Sequence, residues 1–316
     1  MSLKIGYLMK ANDGIYEQIR AALPHDWKLV TLHDGQTPLS AMPELDVVIA
    51  GKVTSEMIGA APRLRLILTP GVGYDGIDLP AASAHAIPVA NTVCGNTIEV
   101  AEATLMLMLA VSRRLTELDA ALRQGKWMMW DRRLQSRNLA GRTLGLIGFG
   151  RIGQEVAARA AAFNMRVIYH DPVQTPAWDW VTLERLLDES DYVSLHVPLT
   201  SSTRGLLTRD RIFAMKRGAV LINTARGEVV DESGLVEALQ SGHLSGAGLD
   251  VFANEPPESG NPLLGMANVV LMPHVASGTL DGLHLKAAQY AENIRRCFAG
   301  EPLIDSIQDT RKQLVP

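Results

Sequence analysis

Short apolar runs recur along the chain, each followed by a stretch with helical periodicity. The first series is Lys4–Met9, Trp27–Leu32, Asp46–Ala50, Leu66–Thr69 and Ile87–Asn91. The second is Thr143–Ile147, Arg166–His170, Asp191–Leu195, Ala219–Asn223, Ser245–Leu249 and Val269–Met272. Apolar runs that alternate with helical patterns predict parallel α/β architecture, and the gap between the two series predicts two sheets. That gap holds a long helical stretch, Thr97 to about Arg123, which would be roughly 40 Å long at ~1.5 Å per residue. Its middle, Ala103–Val111, is apolar on every face. Such a helix needs cover on all sides, from a second domain or a second subunit. A last helical pattern, Asp281–Phe298, carries Leu283, Ala287, Tyr290, Ala291 and Ile294 at spacings of three and four. It is expected to return the chain to the first domain.

The most informative residues open the second series. Gly148-Phe149-Gly150-Arg151-Ile152-Gly153 follows the run ending at Ile147 and precedes the helical stretch Gln154–Ala162. In this context the first glycine permits a tight turn, the second lets a pyrophosphate approach the backbone, and the third lets helix and strand pack closely. Phosphates then meet a helix amino end, where free N–H groups and the dipole favour anions. Asp171 lies 18 residues after Gly153, at the end of the run Arg166–His170. A carboxylate there accepts hydrogen bonds from ribose hydroxyls and repels a 2′-phosphate. No Arg or Lys lies between Asp171 and Trp180. NAD is therefore expected, with NADH preferred over NADPH.

Composition narrows the class. The 316 residues suit two domains, and 47% are hydrophobic. A net charge of −4 without a Lys/Arg stripe argues against nucleic-acid binding. Cys94 and Cys297 are far apart and in no metal-ligand spacing, so neither a disulfide framework nor a metal site is expected. No apolar stretch is long enough to span a bilayer, and Ile5–Met9 reads as a strand rather than a signal peptide, so the expected compartment is the cytoplasm.

Three residues stand out by position. Arg226 follows the run ending at Asn223, Glu255 lies in the loop after Asp250, and His274 follows Met272-Pro273. All three sit at carboxyl ends of strands, the edge where open α/β sheets bind ligands. An Arg, a Glu and a His together there can bind an anion and move a proton. Among the other histidines, His25, His33, His85, His243 and His284 are read as packing or surface residues, and His196 as structural.

In order and spacing the chain resembles the D-isomer-specific 2-hydroxyacid dehydrogenase family over nearly its whole length. The residues that carry the resemblance are Gly71-Val72-Gly73-Tyr74-Asp75, Val100-Ala101-Glu102, the glycine fingerprint and His196-Val197-Pro198-Leu199-Thr200. They continue with Asn223-Thr224-Ala225-Arg226-Gly227, Asp250-Val251-Phe252 with Glu255-Pro256, and Pro273-His274-Val275. The resemblance implies a Rossmann domain, 97–285, inserted into a flavodoxin-like substrate domain formed by 1–96 and 286–316. It implies hydride transfer between NAD(H) and a D-2-hydroxy acid/2-keto acid pair. Arg226 would grip the substrate carboxylate and polarise the keto oxygen, His274 would donate a proton to that oxygen, and Glu255 would hold the other ring nitrogen of His274. The amides of Val72 and Gly73 would cradle the carboxylate. Arg151 and Ile152 would lend backbone N–H groups to the pyrophosphate. Pro198 and Thr203 would line the adenosine side, and Thr97, Thr224, Ala225 and Asp250 would meet the cofactor, Asp250 at the nicotinamide carboxamide.

Some positions depart from the family pattern or lie outside it. Gly76 stands where Asn is frequent and is expected to loosen its turn. Cys94 stands where Pro is frequent and reads as a small buried residue. Lys52 is either a solvated charge or a contact for an anionic substrate tail. Trp127 and Trp130 flank Met128-Met129 ahead of Asp131-Arg132-Arg133; they cap a pocket, pack in a core, or meet a second subunit, and related enzymes place a dimer arm here, implying a homodimer. Glyoxylate and hydroxypyruvate lead as substrates, with phosphoglycerate as an alternative. A non-catalytic NAD(H)-binding module of corepressor type is the alternative from another class. Formate oxidation ranks below these, because that branch carries Gln rather than Glu beside the His.

Overall fold

The computed structural model describes residues 2–32 and 36–307; His33 lies outside the described residues. The chain divides into two compact units, 1–96 with 278–316, and 97–277. In chain order the strands are β1 (Lys4–Tyr7), β2 (Lys28–Thr31), β3 (Val47–Ile49), β4 (Leu66–Leu68), β5 (Val89–Ala90), β6 (Thr143–Ile147), β7 (Arg166–His170), β8 (Asp179–Trp180), β9 (Tyr192–Leu195), β10 (Val220–Asn223), β11 (Gly246–Leu249), β12 (Val269–Leu271) and β13 (Ser306–Ile307).

The first unit is a six-stranded sheet in the order β13-β5-β4-β3-β1-β2. Its strands run parallel except β13, which pairs antiparallel with β5. The flanking cores sort by strand parity. Val48 and Ile67 face one core with Met42, Leu45 and Ile58. Val47, Ile49, Leu66 and Leu68 face the other with Ile19, Tyr290 and Ile294. Tyr290 and Ile294 come from the helix Leu280–Ala299, whose Leu283 joins the same core and whose His284 bonds Gln18 at 2.9 Å. The helix docks here from its first turn, so the unit boundary falls at 278 and not inside the helix at 286.

The second unit is a seven-stranded, all-parallel sheet in the order β12-β11-β10-β9-β6-β7-β8. The order reverses at β6, flanked by β7 and β9, and that is the position at which doubly wound sheets bind ligands. Leu144, Leu146, Val167, Tyr169 and Ile222 pack under the helices Thr97–Ser112 and Arg151–Ala162. Ile147, Ile168, Val193, Leu195, Leu221 and Leu249 face the helices Leu183–Glu189, Arg209–Phe213 and Glu232–Gln240. Both faces are covered, which explains why the strands read as unbroken apolar runs. The two architectures match the expected pair of doubly wound domains, flavodoxin-like and Rossmann in strand order.

The long helix expected from Thr97 to about Arg123 is two helices, Thr97–Ser112 and Leu115–Arg123. Arg114 turns the chain with φ +54°, a conformation that costs a non-glycine residue ~1–2 kcal/mol. Long-range bonds hold it there. The buried Ser112 hydroxyl bonds Tyr192 Oη at 2.7 Å, and Arg114 donates to the Ser245 carbonyl at 3.2 Å. Within the apolar middle of the first helix, Ala103, Leu105, Leu107, Met108, Ala110 and Val111 are buried by this chain and Met106 is exposed.

Gly76 does not loosen its turn. A Cβ there would lie 2.2 Å from the Gly51 carbonyl oxygen. The close approach lets Val53 N–H donate to the Gly76 carbonyl and Asp78 N–H to that of Val53, tying the loop after β3 to the loop after β4. Cys94 is half-buried, and its thiol donates to Gln289 Oε1 at 2.6 Å, so it is hydrogen-bonded rather than an apolar filler. Among the described residues no helix is long and apolar enough to cross a membrane.

Candidate active site

The glycine turn between β6 and the helix Arg151–Ala162 shows three separate demands. Gly148 has φ +94°, and a Cβ on it would lie 2.5 Å from the His196 carbonyl oxygen. A Cβ on Gly153 would lie 2.4 Å from the Gly148 carbonyl oxygen. A Cβ on Gly150 would meet nothing within 4 Å. The space beside Gly150 is therefore open, and no side chain caps the helix that begins at Arg151. An uncapped helix amino end beside open space fits the pyrophosphate of a dinucleotide.

Asp171 is built into this turn. Its Oδ2 accepts from Phe149 N–H at 2.8 Å and its Oδ1 from Val173 N–H at 2.8 Å. The Asp171 carbonyl accepts from Trp180 Nε1 at 2.9 Å. Below it, Phe149 stacks on Tyr169 with ring centroids 3.9 Å apart. Both carboxylate oxygens are fixed by amides, yet each keeps acceptor capacity for a sugar hydroxyl. Further along the same sheet edge, Thr203 Oγ1 donates to the Pro198 carbonyl at 2.5 Å and accepts from Thr200 N–H, which closes the 198–203 turn. Thr224 bonds Thr104 at 3.2 Å between hydroxyls. Thr97 is the first residue of its helix. His196 is structural, as expected: its Nε2 bonds Ser194 Oγ at 2.9 Å, and burial pushes the imidazole down to about 3.

Arg226, Glu255 and His274 leave the carboxyl ends of β10, β11 and β12. His274 Nδ1 and Glu255 Oε2 are 2.6 Å apart. Glu255 Oε1 accepts from Phe252 N–H at 3.1 Å, and the Glu255–Pro256 peptide is cis. The hydrogen bond to Glu255 raises the His274 pKa above its ordinary 6.5, against burial and the Arg226 charge. Burial alone would raise Glu255, but the bonds from His274 and Phe252 N–H and the charges of His274 and Arg226 hold it below 4.5. Both shifts favour the imidazolium–carboxylate form of the pair, with the proton on the ring. Arg226 donates through Nη1 to the Ala225 carbonyl at 2.7 Å.

Two positioning residues, Asn223 and Glu232, escaped the sequence reading, and a third residue, Asp250, has a positioning role that it did not foresee. Asn223, buried, accepts from Ala225 N–H at 3.0 Å and donates to the Arg226 carbonyl at 2.9 Å, so one amide side chain clamps the Arg226 loop. Glu232 accepts from Ala253 N–H and Asn261 Nδ2 and steadies the loop that carries Glu255. Asp250 was expected at the cofactor. It is 1% exposed, and its oxygens accept from Val275 N–H at 2.7 Å and Ala276 N–H at 3.0 Å. Its carbonyl accepts from His274 N–H at 2.7 Å. These bonds hold His274 at φ +52°. An Asn directly before the Arg loop was the one available signal for Asn223; the other contacts are invisible without the fold.

In the first unit, the loop after β4 is pinned by Thr69 Oγ1 and Thr92 N–H donating to the Gly71 carbonyl and Asn91 Nδ2 to that of Val72. The amides of Val72 and Gly73 donate to no protein group among the described residues. Two such amides side by side suit an anion. Lys52 is exposed. Trp127 and Trp130 are 76% and 63% exposed, which rules out the core reading.

Residues 105–276 match the family described as D-isomer specific 2-hydroxyacid dehydrogenase, NAD binding domain. Hydroxypyruvate reductase of Thermotoga maritima is 43% identical over 265 residues, 81% of this chain and 86% of that protein. Glyoxylate reductase of Korarchaeum cryptofilum is 41% identical over 262 residues, 80% of this chain and 79% of that protein. The NADPH-dependent glyoxylate/hydroxypyruvate reductase of Sinorhizobium meliloti, solved in complex with NADP and malonate, superposes with a TM-score of 0.87 at 33% identity, covering 98% of each chain. By its glycine turn, its Arg–Glu–His set and these relatives, the chain belongs to the D-isomer specific 2-hydroxyacid dehydrogenase family.

Proposed function

We propose that the protein reduces a small 2-keto acid, glyoxylate or hydroxypyruvate, to the D-2-hydroxy acid with NADH. The observation that carries the reading is the 2.6 Å His274–Glu255 pair in the same electrostatic neighbourhood as Arg226. The cofactor, held at Gly148, Gly150, Gly153, Asp171 and the first amides of the helix at Arg151 and Ile152, supplies the hydride when bound. Arg226 binds the carboxylate and polarises the keto oxygen through its planar fork. His274 donates its Nε2 proton to the developing alkoxide. Glu255 keeps that proton on the ring and fixes the ring plane. Asp250 holds the His274 segment and retains lone pairs for the carboxamide. Thr97, Pro198, Thr203, Thr224 and Ala225 are assigned to the cofactor surface, and the amides of Val72 and Gly73 to a carboxylate. Chiral analysis of glycerate formed from hydroxypyruvate tests the reading: the D isomer is expected, and the L isomer refutes it.

The preference for NADH rests on Asp171. Asp171→Ala is expected to lower the NADH:NADPH ratio of kcat/KM by on the order of tenfold or more, the worth of one charged hydrogen bond. NADPH turnover should rise in absolute terms. A variant that loses activity equally with both cofactors would show that Asp171 only braces the turn.

Glu255→Gln removes the charge that favours the imidazolium. The acid form of His274 exists below its pKa, so reduction fails as pH rises through that value. The variant should move this alkaline limb of the kcat/KM profile to lower pH. An unmoved limb would assign it to another group.

Homodimerisation is proposed through the segment 115–134, whose Leu115, Leu122, Trp127, Met129, Trp130 and Leu134 are exposed apolar side chains of the second unit. Exposed apolar surface of this kind marks an interaction site. Light scattering should give twice the chain mass; a monomer contradicts the assignment. The cytoplasm is the proposed compartment.

A further inference from the structure

The amino-terminal edge of the seven-stranded sheet carries a feature that the reaction does not use. A cavity of about 420 Å³ is lined by Arg113, Arg133, Arg137 and Arg142, with Ser136, Asn138 and Ala140. That volume is within the range of small-molecule sites. Arg142 lies just before β6 and the glycine turn just after it, so about 20 Å separates them at ~3.3 Å per strand residue. The cavity is therefore not part of the dinucleotide site.

Four guanidinium groups line one opening in a chain whose net charge is −4, and of these Arg142 alone has a carboxylate partner among the described residues. Glu117 pairs with Arg132, Asp119 with Arg123, and Asp191 with Lys216 at 2.8 Å and Arg142 at 3.6 Å. Among the described residues no carboxylate pairs with Arg113, Arg133 or Arg137. The geometry of Arg133 and Arg137 is nonetheless set. Arg133 lies over the Trp130 ring at 4.2 Å, and Arg137 Nη1 donates to the carbonyls of Leu134 and Ser136. Arg113 follows the carboxyl end of the helix Thr97–Ser112, which accounts for one cation but not for four. Three guanidinium groups without a carboxylate partner, two of them held in place, fit the recognition pattern for oxyanions, and the Ser136 hydroxyl and Asn138 amide add neutral donors.

We propose that this cavity binds a multiply charged oxyanion, carrying phosphate or carboxylate groups, at a site separate from the reaction. The test is calorimetric titration of the NADH-saturated protein, so that the glycine turn is already filled, with pyrophosphate and separately with citrate. Saturable binding of one anion per chain by either probe, weakening as salt is raised, is expected; the stronger probe tells phosphate from carboxylate. The double variant Arg113→Gln/Arg133→Gln should bind at least about tenfold more weakly, with keto-acid turnover unchanged. The single variant Arg113→Gln, which leaves the Trp130 stack in place, should show a smaller loss in the same direction. No saturable heat with either probe, or equal affinity in the variants (an adventitious ion only), overturns the proposal. So does a variant whose mass falls from dimer to monomer at unchanged anion affinity, because the arginines then serve a second copy of the chain.

Discussion

Replacing His274 with alanine is expected to lower kcat for keto-acid reduction by ~10²–10⁴, the usual worth of a placed general acid, while NADH binds as before. The side chain has one strong partner, Glu255 Oε2 at 2.6 Å, and the chain reverses at φ +52° to aim it. The dinucleotide turn lies after β6, whereas His274 follows β12 at the far edge of the same sheet. Loss of the imidazole therefore removes the proton donor without touching the cofactor cradle. Stopped-flow reduction together with NADH fluorescence titration separates the two. A variant that binds NADH normally and turns over at the parental rate would strip His274 of its role.

Arg226→Gln should cost at least ~10²–10³ in kcat/KM, the loss seen when one preorganised donor to a developing oxyanion is removed. Both kinetic constants should suffer. The carboxylate contact is made in ground state and transition state alike, so KM rises; polarisation of the keto oxygen strengthens along the reaction, so kcat falls. Arg226→Lys should rescue little. Asn223 clamps the loop on both sides of Ala225 so that a planar fork is presented, and an ammonium cannot reproduce two parallel donors. A rise in KM alone would show Arg226 to be a binding residue with no part in polarisation.

The residues legible in the sequence were those whose demands are local. Gly153 is dictated by the Gly148 carbonyl within the same strand–helix turn, and Gly148 by its φ of +94°, so the glycine spacing between an apolar run and a helical stretch states both demands. The strands were legible because sheets covered on both faces leave no polar position to break the run. Demands met by distant partners were not. Nothing between Ser112 and Leu115 is a helix breaker; Tyr192 and Ser245, each more than 70 residues away, hold the reversal at Arg114. The strands β8 and β13 are two residues each, too short for any periodicity. The resemblance implies a cofactor role for Asp250, and only the fold shows that each of its oxygens also accepts from the main chain, of Val275 and of Ala276. Gly76 read as a loosened turn because the Gly51 carbonyl, 25 positions earlier, is what forbids a side chain there.

The most direct measurement is the initial rate of NADH oxidation at the nicotinamide absorbance band against glyoxylate, hydroxypyruvate, phosphohydroxypyruvate, pyruvate and bulkier 2-keto acids, each repeated with NADPH. Turnover with NADH that is fastest on glyoxylate or hydroxypyruvate, and lost in His274→Ala, is the expected result. Tight NADH binding with no turnover on any of the keto acids would contradict the enzymatic reading and leave an NAD(H)-binding module on the same fold.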